Sequence, residues 1–357
     1  MAGHLGQENV SLSLDFENGT AEGNVFLEDS VNEDIFRLMQ IICTICYSLS
    51  FILGIVDNGL VIWIAGFKMS KRVNSIWFLN LAIADFVFDI FFPFLITETA
   101  MEGRWPFGQI MCKVIFTVLH LNMYVSTFFL VIISVDRCIS VWCPVWSTNH
   151  RSSRLATIIS AITWMLCLVL SSPYFAFYTT EHDESENVMY CVPIYAYDYH
   201  TDKWRYKILL ITRFVVMFLV PFSIILLCYA LIILKVRRRR QIKGSSRTFN
   251  VIITIVNCFF FCWFPFYFLP LLEFMNVKMS ATGEFVMLNI ACCLAFFETC
   301  LNPVIYAFIG HDFKKSFMKS IPFSLENFFK ERCTNNDEHQ SDNIMNLNSK
   351  LTTVESF

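Results

Sequence analysis

Seven separate apolar stretches, each long enough to cross a bilayer, constrain this chain more than any other feature. They run approximately over 38–67, 75–101, 109–141, 155–178, 205–235, 248–276 and 283–309. About 20 helical residues cross the ~30 Å hydrocarbon layer. Lipid offers no partner for backbone N–H and C=O groups, so each run must satisfy its own, and helices are expected rather than strands. The implied fold class is an all-α membrane protein, a seven-transmembrane helix bundle. Composition agrees, with 55% hydrophobic and 16% charged residues, where a soluble domain carries about a quarter charged. Residues 1–36 have neither a basic start nor an apolar run, so no cleavable signal sequence is expected there.

Charge near the membrane ends sets the orientation. Lys68, Lys71 and Arg72 follow the first run, and Arg137, Arg151 and Arg154 surround the end of the third. Seven basic residues and no acid occupy 235–247, and Lys314, Lys315 and Lys319 follow the seventh run. The opposite side carries Glu181, Asp183, Glu184 and Glu186, and residues 1–36 hold eight acids and no Lys or Arg. The N-terminus is therefore expected outside and the C-terminus inside. The sequons at Asn9 and Asn18 lie in that outer tail, where glycosylation occurs. Of 14 cysteines, only Cys112 and Cys191 fall on the oxidising side, which implies one disulfide between them. The chain divides into an acidic extracellular tail (1–37), the bundle (38–310), an amphipathic membrane-surface helix (311–320) and a disordered cytosolic tail (321–357). In the surface helix, Phe313 and Phe317 stand at i,i+4 with lysines opposite.

A polar group inside a bilayer costs about 3 kcal/mol on insertion scales and is a functional candidate by default. Here such groups recur in order: Asn58, Asp85, Ser126, Asp136-Arg137-Cys138, Trp164, Pro221 with Tyr229, Cys262-Trp263-Phe264-Pro265 and Asn302-Pro303-Val304-Ile305-Tyr306. On seven spans, this pattern resembles the rhodopsin-like G-protein-coupled receptors over residues 38–320. Trp77-Phe-Leu-Asn-Leu-Ala-Ile-Ala-Asp85, Trp105-Pro-Phe-Gly and Pro144-Val-Trp-Ser-Thr-Asn-His-Arg151 are similar to the chemoattractant branch of formyl-peptide and chemerin receptors. Asp-Arg-Cys stands where the wider family has Asp-Arg-Tyr, a variant this branch shares.

The resemblance implies roles for individual residues. Arg137 pairs with Asp136 at rest and turns to the G protein when active. Tyr229 and Tyr306 hydrogen-bond into the opened cytosolic space. Pro265 makes a hinge by removing a backbone donor, and Asn302 and Pro303 belong to the same switch. Asp85, Asn122, Ser126, Glu298 and Asn302 form an internal sodium pocket, sodium being the only inorganic partner expected and no other cofactor. Glu298 stands where relatives have Asn, and Asp89 and Asp57 add further acids. Like charges so close cannot all stay ionised, so basal signalling is expected to respond to pH or sodium through Glu298. Arg213, eight residues before Pro221, is the expected grip for a ligand carboxylate. His120, Glu98, Trp263, Tyr267 and Glu273 complete the ligand set. His120 replaces an acid of the formyl-peptide receptors, which argues against formyl-methionine peptides as the main ligand.

The expected partners are an extracellular peptide or other acidic ligand, an inhibitory-class heterotrimeric G protein, arrestin and receptor kinases, and membrane lipid. The kinases would act on Ser341, Ser349, Thr352, Thr353 and Ser356, and Cys333 is a candidate for palmitoylation. No nucleic-acid partner is expected. Residues Val188–Tyr197 suggest a hairpin over the mouth of the bundle. A transporter would show internal repeats or broken mid-membrane helices, and an enzyme a motif such as GxSxG or HExxH; none is present. A non-signalling scavenger of the same fold is the remaining alternative, opposed by the intact switch residues. The expected setting is the plasma membrane.

Overall fold

The computed structural model describes residues 32–68, 72–184, 187–193, 203–238, 258, 260–272, 275 and 279–309, with the side chains of 203–207, 209, 236–238 and 301–309 left out of the description. Six helices among the described residues are long and apolar enough to cross a membrane: Glu33–Lys68, Val73–Ala100, Gly108–Trp142, Ser153–Phe177, Leu210–Lys235 and Ala281–Cys300. The sixth expected run is represented by the shorter apolar helix Phe260–Leu272. Asn9, Asn18, Glu273, Cys333, the surface helix over 311–320 and the tail hydroxyls lie outside the described residues.

Helix chemistry explains each span. In the first, Asn32 caps the start, its Oδ1 accepting from the backbone N–H of Asp34 and Ile35 at 3.0 and 3.4 Å, with Glu33 and Asp34 in the first turn favoured by the helix dipole. Its buried residues are Met39, Cys43, Tyr47, Ser50, Gly54, Asn58 and Val61. Steps of three and four place these on one face, while Ile41, Ile45, Ile52 and Val56 point outward. The third span is central: 67% of its most apolar stretch is buried, against 28% in the first and fourth. The second and fourth spans are tied by Asn80, which accepts from Trp164 Nε1 at 2.9 Å and donates to Ser160 Oγ at 3.3 Å.

Prolines shape two spans. Pro93 cannot donate to the carbonyl of Asp89, and the second span turns at Ile90–Phe91 before resuming over Phe92–Ala100. In the fifth span, Pro221 would crowd the carbonyl of Met217, and the helix widens to a π-type turn over Val215–Leu219. A similar wide turn, Ile64–Lys68, ends the first span.

At the outer mouth, β1 (Tyr178–Asp183) pairs antiparallel with β2 (Val188–Pro193), Thr180 facing Cys191. The hairpin expected within Val188–Tyr197 instead spans Tyr178–Pro193, with only its second strand in the expected stretch, and 194–197 lie outside the described residues. Cys191 is disulfide-bonded to Cys112 at the start of the third span, Cα–Cα 5.7 Å. Trp105, 1% exposed, seats the first outer loop against this hairpin, its backbone N–H donating to Met189 O at 2.6 Å and its indole N–H to Gly108 O at 3.0 Å. Gly103 and Gly108 flank it with φ of 88° and 77°, backbone that only glycine adopts without strain.

Candidate ligand chamber and signalling switch

Between the third, fifth and sixth spans, Arg213 lies on an aromatic wall. Its guanidinium carbon is 4.9 Å from the Phe266 ring centre and 5.5 Å from that of Tyr267, and its Nη2 is 3.9 Å from Met123 Sδ. Tyr267 stacks on Trp263 at 5.8 Å, so the charge and the tryptophan share one stack. His120 closes the other side. It is 1% exposed, its ring lies 3.5 Å from Tyr174 at 17°, and its Nδ1 is 2.7 Å from Phe116 O. A carbonyl accepts only, so Nδ1 carries a proton, and in the neutral ring Nε2 is then the acceptor. Neither His120 Nε2 nor the Tyr267 hydroxyl, both buried, has a hydrogen-bond partner among the described residues.

Arg213, His120, Trp263 and Tyr267 are thus brought together. Glu98 is not in this group. It is 5% exposed and lines the outer cavity between the first, second, third and seventh spans, with Gln40, Tyr47, Phe116, Leu119 and Asn289, beside the Arg213 cluster rather than in it. Tyr124, Tyr174, Phe266 and Met123 belong to the chamber and were missed from sequence. Phe266 sits beside Tyr267 and was legible; Tyr174, at the outer end of the fourth span, gave no signal.

At mid-bundle the acids face different neighbours. Asp89 turns to the first and seventh spans: Asn58 Nδ2 donates to its Oδ2 at 3.0 Å and Thr299 Oγ1 to its Oδ1 at 3.4 Å. Asp85 turns to the third span and accepts from Ser126 Oγ at 3.1 Å. Asn122 satisfies this site with its nitrogen inward, donating to Asp85 Oδ1 and Ser126 Oγ at 3.2 Å and to Ala84 O at 3.3 Å. Glu298, 2% exposed, lies within electrostatic range of Cys258 and Cys262 on the sixth span. Asp57 is only half-buried.

On the cytosolic side the pairing differs from expectation. Asp136 is gripped by Arg151, with Nε to Oδ1 and Nη2 to Oδ2 both 2.7 Å, and the same Nη2 reaches Asn74 Oδ1. The bidentate fork of Arg151 engages both carboxylate oxygens of Asp136. Arg137 Nε has no hydrogen-bond partner among the described residues. Tyr229 OH is 3.3 Å from Ser134 Oγ, one turn from Arg137. Pro265 lies in the described part of the sixth span, and Asn302, Pro303 and Tyr306 fall on the continuous helix Ala281–Ile309.

A bundle of membrane-length apolar helices with a disulfide-tethered hairpin at its outer mouth has the architecture of a membrane receptor. The family described as 7 transmembrane receptor (rhodopsin family) matches over residues 57–306, and the chain belongs to it. It is a G-protein-coupled receptor, a multi-pass protein of the plasma membrane with its N-terminus outside, and not an enzyme. Its similarity is to the chemoattractant branch. It is 40% identical to the formyl peptide receptor 2 of Mus musculus over 337 residues, covering 91% of this chain and 93% of that one. It is 39% identical to the N-formyl peptide receptor 2 of Homo sapiens over 320 residues (86% and 91%). With the chemerin-like receptor 1 of Rattus norvegicus it shares 43% over 291 residues, 78% of each chain.

Proposed function

We propose that this receptor answers a chemoattractant-type ligand bearing a carboxylate, a peptide C-terminus foremost, and signals through an inhibitory-class G protein. The observation that carries the reading is Arg213 stacked on Phe266 and Tyr267. Stacking engages the face of the guanidinium plane, and the fork of in-plane N–H groups is the part that grips a carboxylate in two bonds. Because Tyr267 continues into Trp263, a ligand that draws on Arg213 also presses on the sixth span, whose Pro265 gives it a bend to move about.

The names of the relatives, formyl peptide and chemerin-like receptors, support a peptide ligand. In its neutral form His120 presents Nε2 as an acceptor beside this cluster, which a C-terminal residue meets with its amide N–H. Inhibitory coupling, arrestin and receptor kinases rest on the branch resemblance. An internal sodium ion is part of the same proposal. Asp85 and Ser126 supply oxygens for it, Glu298 and Asn302 are the further donors, and Asn122 offers its oxygen only by turning its amide over. Glu298→Asn tests this role through the sodium and pH dependence of basal signalling; unchanged dependence would overturn it.

The test of the ligand reading is cyclic AMP suppression in cells displaying the receptor. They are challenged with a chemerin C-terminal peptide, a formyl peptide and acidic lipids, beside an Arg213→Ala variant. Suppression by an acid-bearing ligand that the variant loses supports the reading. Suppression that survives the substitution removes the carboxylate contact.

A further inference from the structure

On the cytosolic side, between the second, third and fourth spans, lies a groove of about 270 Å³ that the ligand reading does not use. Its depth is apolar, with Val73, Trp77, Val131, Ile132, Val135 and Ile159 among its walls. Its rim holds Ser147, His150, Arg151 and Ser152, and its floor reaches Asp136. The short helix Pro144–His150 forms one lip, with His150 stacked on Trp146 at 4.8 Å and 9°.

Three observations say what suits the groove. Its open side faces the bilayer, since Ile139, Trp146 and Leu155 on its edge are substantially exposed. Second, the charge of the rim is positive. The second and fourth spans both begin here, the latter capped by Ser152, which accepts from Leu155 N–H at 3.2 Å. Helix starts carry partial positive charge; Arg72 and Arg154 stand at these two starts, and within the groove Arg151 is paired with Asp136, the one acid among its described lining residues. Third, that acid and Arg151 are the bidentate pair of the switch.

We propose that this groove seats an acyl chain of an anionic inner-leaflet phospholipid, with its phosphate at the rim of His150, Arg151 and the start of the fourth span. A hydrocarbon chain fits the Val and Ile walls, and the headgroup meets the rim at the depth where basic side chains meet an anionic leaflet. The lipid adds negative charge beside Arg151 and braces the Pro144–His150 helix from the bilayer side. Occupancy therefore bears on the contact that keeps Asp136 away from Arg137. The proposal does not depend on which extracellular ligand the receptor takes.

The experiment uses the full-length receptor in nanodiscs of phosphatidylcholine doped with a photoreactive phosphatidylserine whose acyl chain carries the label. Labelled peptides are located by mass spectrometry. The expected result is labelling at Ile139, Trp146 or Leu155, competed by unlabelled phosphatidylserine in preference to phosphatidylcholine. Leu155→Trp, which fills the groove, should remove most of that labelling, with G-protein activation in pure phosphatidylcholine retained as the control for folding. Arg154→Gln should lower the preference for the anionic lipid by about fivefold, the effect of one arginine at an anionic leaflet. Labelling confined to other surfaces overturns the site. Equal competition by phosphatidylcholine, or displacement by a sterol alone, overturns the anionic occupant.

Discussion

Asp89 at mid-bundle and His120 and Tyr267 in the outer cluster are all buried, yet their neighbours treat them differently. Around Asp89, both carboxylate oxygens accept from side chains of other spans, Asn58 on the first and Thr299 on the seventh. Gly54 gives way to let that carboxylate close in, and a Cβ built there would stand 2.5 Å from Asp89 Oδ2. In the outer cluster, His120 Nε2 and the Tyr267 hydroxyl are buried with no hydrogen-bond partner among the described residues, as are Asn58 Oδ1 and Ser50 Oγ at mid-bundle. Leaving a buried polar atom unmet costs about 1–3 kcal/mol. A fold tolerates that where something else meets it. The two regions differ in what surrounds such atoms, cross-span hydrogen bonds to Asp89 in one and the aromatic-stacked Arg213 in the other, and substitutions should divide along that line.

The largest effect is expected in the chamber. Arg213→Ala should reduce agonist potency about 100-fold, the ~3 kcal/mol typical of truncating one partner of a buried, hydrogen-bonded charge pair. The amount of receptor at the cell surface should change little. Dose–response curves for cyclic AMP suppression, with surface staining alongside, check both halves. A fall in surface receptor matching the fall in potency would move Arg213 to the structural side.

Gly54→Val should do the reverse. Forcing a branched side chain against Asp89 costs about 1–3 kcal/mol in a packed core, read as lower thermal stability of the purified receptor and less of it at the surface. The receptor that survives should keep its potency. Gly59→Ala is the internal control, because its Cβ would meet Phe86 at 3.4 Å, an ordinary contact. Thermal melting of the two variants side by side distinguishes a specific clash with Asp89 from a general intolerance of the first span.

The sequence announced these two regions unequally. Apolar length, basic loops and two outer cysteines were enough for the bundle, its orientation and its disulfide, because each follows from lipid as a solvent and needs no partner residue. Asp85, Asp89 and Glu298 could be recognised as unusual but not assigned neighbours. Whether an acid on one helix faces the first, third or sixth span depends on the rotation of that helix, which the kink at Pro93 helps to set. For the same reason Arg151 was legible only as a loop charge. Its fifteen-residue separation from Asp136 becomes a bidentate contact only once the Pro144–His150 helix folds the loop back. The wide turn over Val215–Leu219 has a cause that is visible in Pro221, whereas the one ending the first span at Ile64–Lys68 has none we can name.

That contact supplies a smaller test on the cytosolic side. Arg151→Gln should leave Asp136 to its neighbour Arg137 and so reduce agonist-stimulated nucleotide exchange on the G protein. The pair is partly exposed, with side-chain accessibilities of 27% and 12%. An exposed pair contributes about 1 kcal/mol or less, so the reduction should be fivefold at most. Unchanged or increased exchange would mean that Arg151 restrains the switch instead of releasing it.

The smallest effect is the most informative about what the chamber reads. His120→Phe preserves an aromatic ring to stack on Tyr174 and removes only the nitrogens. With Nδ1 committed to Phe116 O, what the chamber loses is the Nε2 acceptor. A single neutral hydrogen bond contributes about 1 kcal/mol, so potency for a donor-bearing ligand should fall roughly fivefold. An acidic lipid with no N–H or O–H beside its carboxylate should lose nothing, or gain from the more apolar wall. Comparing the two ligand types on one variant turns the tautomer of a single histidine into a statement about the ligand. A peptide-selective loss places a donor against Nε2, and an equal loss for both reduces His120 to packing beneath Tyr174.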